Sequence, residues 1–367
     1  MKKMVGKLMI LLVVLIIGAV LFIKFDTSAA AEFTDNVLRP ILGANTVIFL
    51  EKIFFNTTDK IQQIGSNENN IQAPQFGDFS QEENTTANNL ETTPIPMMGS
   101  FKKLENEGAW KIMKLSAFPN EGVMAYTFVR PDKDRPYSIV TIVQLDMSKM
   151  SLGAVAGIKE PGGKLGNSGP GMVPKEIVKN NQLVAAFDGG FQYRDGEYGM
   201  MVDGKTYVPL QNDLGTVVGY KNGDFKIIDY TGQDLGGEVT FIRQNCPILI
   251  ENGQLGVEDV KNKKLWGRTF TSGIYTWRTG MGMTENGNLL FAVGNNLTPT
   301  TLAIALRMAG ADDAIQLDIN PNWVRFNIFN PLGNGKYDSK PLTRDLKNGA
   351  TAYLTGYAKD FFYIYKK

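Results

Sequence analysis

Four Asp-Gly or Asn-Gly pairs, at Asp203-Gly204, Asn222-Gly223, Asn252-Gly253 and Asn286-Gly287, each lie beside strand-like apolar residues. Such pairs favour the left-handed backbone of tight hairpin turns, so they predict β-hairpins and commit the chain beyond Phe101 to a sheet-rich fold. Ser138 to Leu145 (SIVTIVQL) and Leu289 to Val293 (LLFAV) are mostly apolar and read as well-buried strands. One helix is well marked: Thr298 suits an N-cap, Pro299 the first helical position, Leu302, Ala305, Leu306 and Ala309 an apolar stripe, and Gly310 the end. It leads into a buried strand at Ala314 to Leu317. The expected class is therefore α+β: a β-rich mixed-sheet domain with few helices over residues 101–367, preceded by an N-terminal membrane helix and a flexible linker.

The N-terminal third divides by composition. Lys2, Lys3 and Lys7 precede an unbroken apolar run from Leu8 to Ile23, closed by Lys24, which fits a signal sequence or a slightly short spanning helix. The run exceeds a typical signal core, and Lys24, Phe25 and Asp26 separate it from the small residues Ala29 and Ala31. Retention as a single-pass anchor over residues 1–31 is the expectation, with the positive flank cytoplasmic and the C-terminal domain on the far side of the bilayer. Residues 32–64 place Phe33, Val37 and Ile41, then Val47, Leu50 and Phe54, at helical spacing, with Pro40 between. Two short amphipathic helices are expected, lying on the membrane surface, self-associating, or packing on their own chain. From Gly65 to about residue 100 the chain turns to Asn, Gln, Ser, Thr and Glu, too polar to offset the entropy of ordering. It reads as a disordered polar linker with a span of roughly 30 Å.

Lysine and arginine nearly balance aspartate and glutamate, for a net charge of +1, so nothing points to nucleic acid. There is no histidine among the 367 residues, which excludes Ser-His and Cys-His catalysis and histidine zinc sites. Proton transfer in an enzyme of this composition falls to Asp, Glu, Lys or Tyr. The single cysteine, Cys246, has no internal disulfide partner and reads as a small buried side chain.

Three stretches are too polar and glycine-rich for ordinary strand ends. In Ala185 to Phe191 (AAFDGGF) an apolar strand runs into Asp188, Gly189 and Gly190, where backbone can approach a ligand or Asp188 can stabilise a tight turn. Arg243, Gln244 and Asn245 (RQN), paired with Arg278, Thr279 and Gly280 (RTG), stand beside expected strands, and an arginine fork suits phosphate or carboxylate where it is not simply a solvated surface side chain. In Gln316 to Trp323 (QLDINPNW) Asp318 falls at a strand end and is followed by Asn320, Asn322 and Trp323, the last able to stack on a sugar face or to fill a core.

In order, the leucine and aspartate of Leu145-Asp146, AAFDGGF, RQNCPILIENGQ (Arg243 to Gln254), RTGMGMTENGNLLFAV (Arg278 to Val293), the Thr298 to Gly310 helix and the LD of Leu317 and Asp318 resemble the phosphodiester glycosidase family over roughly Tyr137 to Phe329. The resemblance implies hydrolysis of a sugar joined through its anomeric carbon to a phosphodiester, with a sugar-phosphate or glycan substrate. It places Asp188 and Asp318 as catalytic carboxylates, and Gly189, Gly190, Arg243, Gln244, Asn245, Arg278, Asn320 and Trp323 around substrate and phosphate. Two departures stand out: Asp188 replaces the family's usual asparagine, and LDINPNW replaces its LDGGGSS-like loop. No cofactor is required by this scheme; Ca²⁺ is a further option if Asp188, Asp318 and Asn320 converge. Together with the anchor, the expected setting is the cell envelope. The alternative is a non-catalytic carbohydrate-binding or exopolysaccharide-assembly protein on the same fold.

Overall fold

The structure is a computed structural model that describes residues 33–77, 90–162, 165–166, 168–259, 275–347 and 349–367. The segment expected to anchor the chain, 1–31, lies outside the described residues. Among the described residues no helix is long and apolar enough to cross a membrane. The chain divides after Phe55 into two units, and everything below concerning sheets and site lies in the second.

All four Asx-Gly pairs close antiparallel hairpins. At two of them, Asp203-Gly204 and Asn252-Gly253, both residues have positive φ, the backbone for which these residue types are suited. A fifth hairpin turns at Asn334-Gly335, likewise with positive φ at both residues.

Three sheets result. The strands that carry the site are β1 (Leu183–Asp188), β2 (Val239–Gln244), β3 (Thr276–Thr284), β4 (Leu289–Leu297), β5 (Ala311–Ile319), β6 (Phe326–Gly333) and β7 (Phe361–Lys366). β1 is the centre of a five-stranded sheet, flanked by β6 and β7. β3 lies between β4 and β5 inside an eight-stranded sheet. β2 is central to the third sheet, of five strands. The expected mixed sheet takes a particular form: the described pairings are antiparallel, and β4 and β5 run parallel to each other only across the intervening β3.

That geometry requires a crossover from β4 to β5, and α1 (Pro299–Met308) supplies it. Thr298 caps it by accepting from the Thr301 N–H at 3.1 Å, while the Thr301 hydroxyl accepts from the Thr298 N–H at 2.9 Å. Leu302, Ala303, Ala305 and Leu306 are buried, and Gly310 turns the chain away with φ +92°.

The core meets at Phe187. Its ring lies 5.6 Å from Phe326 on β6, 5.6 Å from Phe362 on β7 and 5.2 Å from Phe291 on β4, while Phe362 is 6.0 Å from Phe241 on β2. One aromatic cluster thus joins all three sheets. Because side chains alternate along a strand, fixing Phe187 inward fixes Asp188 on the other face.

The N-terminal expectations need adjustment. Helical segments Thr34–Leu38 and Arg39–Leu42 precede a single long helix, Ala44–Gly65. The break falls at Gly43, whose φ of +79° only glycine adopts freely, and not at Pro40, which sits in the first turn of its segment where its missing N–H is harmless. Asp59 on the long helix is buried and accepts from Arg135 at 2.9 Å and Tyr137 at 2.9 Å, so this part of the helix packs on its own chain.

The stretch expected as a free linker is held where it is described. Phe76 bridges to Thr343 and lies 4.3 Å from the Tyr126 ring, Ile95 is buried, and the Leu90 and Ile95 N–H groups bond Gly122 and Gly108. A few apolar anchors suffice to dock a polar strip whose average composition reads as disorder; residues 78–89 lie outside the described residues.

Replacing Phe187 with Ala is expected to lower unfolding free energy by about 3–5 kcal/mol in urea denaturation, because the ring that packs its own sheet against β4 is lost and leaves a cavity. Leu332→Ala, at a side chain 69% exposed, should stay within about 0.5 kcal/mol of wild type.

Candidate active site

Asp188 ends β1 after an apolar run and is buried, 2% exposed. Its Oδ1 accepts from the Arg325 N–H at 2.9 Å and its Oδ2 from the Thr279 hydroxyl at 2.6 Å. Thr279 lies on β3, in the other sheet. The same hydroxyl accepts from the Asp318 N–H at 3.0 Å, so one oxygen ties the ends of β1 and β5 together.

Asp318, also 2% exposed, accepts from the Ile319 N–H at 2.8 Å through Oδ1, while Oδ2 forms a very short contact with the Lys359 ammonium. Lys359 is 3% exposed, and its Nζ lies 4.8 Å from the ring of the half-buried Trp323.

Burial and like charge set the proton affinities. Burial pushes Asp188 up from 3.8 to about 7, with the Asp318 charge adding to the rise and the Thr279 and Arg325 hydrogen bonds opposing it. Burial likewise raises Asp318, to about 6, but Lys359 opposes the rise by charge and by hydrogen bond. The two titrate as a pair, with Asp188 the more readily protonated partner. Lys359 itself is held above its ordinary value: burial works against its charge, and Asp318, together with Tyr357 and Asp360, more than offsets that.

The other residues picked from sequence occupy the scaffold around this pair. Arg243, 1% exposed, donates to Asp360 at 2.8 and 3.3 Å and to the Phe191 carbonyl at 2.7 Å. Gln244 clamps the neighbouring loop, bonding Gln211 through both ends of its amide and the Thr216 hydroxyl. Asn245 accepts from the Phe191 N–H at 3.2 Å and donates to the Gly189 carbonyl at 3.0 Å. These contacts explain both glycines: a Cβ on Gly189 would meet the Asp360 carboxylate, and one on Gly190, at φ +137°, would meet Asn245. Arg278 is held by the Leu297 carbonyl at 2.8 Å and Gln316 at 2.9 Å, and burial lowers its guanidinium to about 10.

Asn320, at φ +83°, turns its Oδ1 to the Asn322 N–H at 3.0 Å, shaping the loop that presents Trp323. Cys246 is buried against the Tyr198 hydroxyl, and burial pushes its thiol up to about 12, far from a reactive thiolate. A surface cavity of about 110 Å³ opens elsewhere, among residues such as Phe76, Asn106, Lys111 and Tyr126, and none of the residues above lines it.

A Ca²⁺ ion takes six to eight oxygens. The donor set here does not fit it: Asp318 is engaged by an ammonium, Asp188 by a hydroxyl and an amide, and Asn320 by its own loop. Among the described residues no three acidic or cysteine side chains gather into a metal cluster.

Lys359 and Arg325 lie outside the stretches picked from sequence; Thr279 lies within one of them, beside Arg278, where the arginine alone carries an expected ligand role. Lys359 with Asp360 directly precedes the apolar run FFYIY, where a charged pair meets a strand that is buried along most of its length.

The phosphodiester glycosidase family model matches residues 181–318, a stretch that runs from the start of β1 to Asp318. Among solved structures, the chain is similar to the catalytic domain of zebrafish N-acetylglucosamine-1-phosphodiester alpha-N-acetylglucosaminidase, auto-inhibited by its pro-peptide, at 16% identity and a TM-score of 0.45 over 70% of this chain and 88% of that one. It is also similar to a hypothetical protein from Synechocystis, at 12% identity and a TM-score of 0.35 over 67% and 63% of the two chains. No curated protein sequence matches.

The raised Asp188 has a consequence for stability. Between its unfolded value near 3.8 and its folded value near 7 the native state holds a proton that the unfolded chain has released, so stability falls as pH rises through that window. Asp188→Asn should flatten this fall, gaining thermal stability relative to wild type at pH 8 and little at pH 4. A wild-type melting temperature that climbs steadily from pH 4 to 7, unaltered by the substitution, would contradict the assignment.

Proposed function

We propose, from a chain whose residues 181–318 match the phosphodiester glycosidase family, that it hydrolyses sugar-1-phosphodiester linkages with Asp188 and Asp318 as its working carboxylates. The observation that carries this reading is the Thr279 hydroxyl bond to both aspartates. It ties the Asp188 carboxylate to the backbone of Asp318, a second buried acid of lower proton affinity, which supports a division of acid and base roles between them.

Lys359 favours the charged form of Asp318, which suits it to take a proton from water at the anomeric carbon. Asp188, more readily protonated, is suited to give one to the departing phosphate oxygen. Phosphate is already a good leaving group, so a strong acid is unnecessary and a carboxyl that titrates near neutrality is adequate. Trp323 offers an apolar face for a sugar beside Lys359. The N-terminal apolar run and its lysines support an envelope setting, with the domain carried on a single-pass anchor and acting on envelope glycans or glycolipids.

One observation favours a second reading. Asp318 is already closed into an ion pair with Lys359, in a loop that lacks the glycines and serines usual for the family, as suits a protein that binds sugar phosphates without cutting them.

Incubating the full-length protein with a panel of sugar-1-phosphodiesters and assaying released reducing sugar separates the two. On the hydrolytic reading Asp188→Asn and Asp318→Asn each lower turnover by about 10²- to 10⁴-fold. Turnover should also describe a bell in pH, falling in acid as Asp318 protonates near 6 and in base as Asp188 loses its proton near 7. Binding with no release of sugar selects the second reading, and undiminished turnover in both variants rejects the roles given to the aspartates.

A further inference from the structure

We propose that Arg325, with the hydroxyls of Tyr353 and Tyr357, forms an anion-binding subsite beside the carboxylate pair that recognises the oxygens of a phosphodiester monoanion.

The two arginines singled out by the family resemblance are taken up within the protein: Arg243 by Asp360 and two carbonyls, Arg278 by Leu297 and Gln316. Arg325 differs. Its main-chain N–H bonds the Asp188 carboxylate, yet among the described residues its Nε, though buried, has no hydrogen-bond partner. Its guanidinium lies 5.0 Å from the ring of Tyr357, which lies 5.1 Å from the ring of Tyr353. Tyr353 is wholly buried and Tyr357 is 7% exposed, and both hydroxyls also lack a partner.

Three donors left over in one place are unusual, because buried polar groups are nearly always paired and an unmatched one costs its full desolvation. They sit on the face of the sheet that Asp188 occupies: Asp188 pairs with Phe361 on β7, and Phe361 packs 4.7 Å from Tyr353. The charges of Asp188 and Asp318 bear on both tyrosines, and Arg325 opposes them, which places the hydroxyls within electrostatic reach of the pair.

A guanidinium and two hydroxyls can all donate at once, and the complement of three donors is a group rich in acceptor oxygens. Charge narrows the choice. Lys359 is matched by Asp318 and Arg243 by Asp360, while Arg278 is held by the Leu297 carbonyl and Gln316, so among the described cations around the pair Arg325 is the one with a buried donor left unbonded, and a single positive charge suits a monoanionic diester. The subsite thus names the phosphate-holding part of the hydrolytic site and rests on that reading for its biological use, though not for its chemistry.

The test uses full-length protein and diethyl phosphate, an anionic diester without a sugar, against neutral triethyl phosphate, followed by phosphorus NMR line broadening. Wild type is expected to bind the diester and not the triester. Arg325→Gln should weaken diester binding about tenfold, the loss of a charged hydrogen bond, with Arg325→Lys intermediate. Tyr357→Phe should weaken it about threefold while leaving the melting temperature unchanged or higher, since it removes an unmatched hydroxyl. A structural role would instead lower the melting temperature and leave binding alone.

Absence of diester binding by wild type, or equal binding by wild type and every folded variant, overturns the subsite. Because the probe contains no glycosidic bond, binding that depends on Arg325 stands even where sugar-1-phosphodiesters prove uncut.

Discussion

The hydroxyl of Thr279 is the point on which the site turns. It donates to the Asp188 carboxylate in one sheet and accepts from the Asp318 main-chain N–H in the other, so a single buried oxygen ties the first carboxylate to the backbone that carries the second. Threonine suits this role because its hydroxyl can donate and accept at once while its methyl fills apolar space. The consequence is chemical as well as geometric. Two acids brought together out of water cannot both ionise cheaply, and Lys359 decides which of them keeps the charge.

Around that point the protein is built to hold backbone still. Asp360 and Asn245 press against the two glycines after Asp188 so closely that no side chain fits, and Arg243 anchors Asp360 from behind. Arg243 and Asn245, which resemble phosphate ligands in the linear sequence, also hold the turn that carries Asp188 in the folded chain. Rigid placement is what an electrostatic site needs, since donors and charges fixed in advance do not have to reorganise during a reaction.

How much of this was legible beforehand depended on whether the signal was local. Asx-Gly hairpins and the Thr298 cap are written in two to four adjacent residues, and they stand in the structure where the sequence put them. The end of β1 at Asp188 was equally plain, because an apolar run meeting an acid and two glycines has few other meanings. The partners were not plain. Thr279 and Lys359 reach Asp188 and Asp318 from residues 91 and 41 positions away, and nothing local to either reports that distance. The same limit explains the linker: composition averages over a window, whereas Phe76 and Ile95 dock their neighbours one contact at a time.

Carbon NMR of aspartate carboxyls, selectively labelled in the full-length protein and titrated from pH 4 to 9, addresses the shared proton directly. The account requires one carboxyl, absent from the spectrum of Asp188→Asn, to titrate near neutrality, and to move higher still in Thr279→Val, where the opposing hydrogen bond is gone. Titration of every aspartate near its ordinary value, unaffected by Thr279→Val, would contradict it.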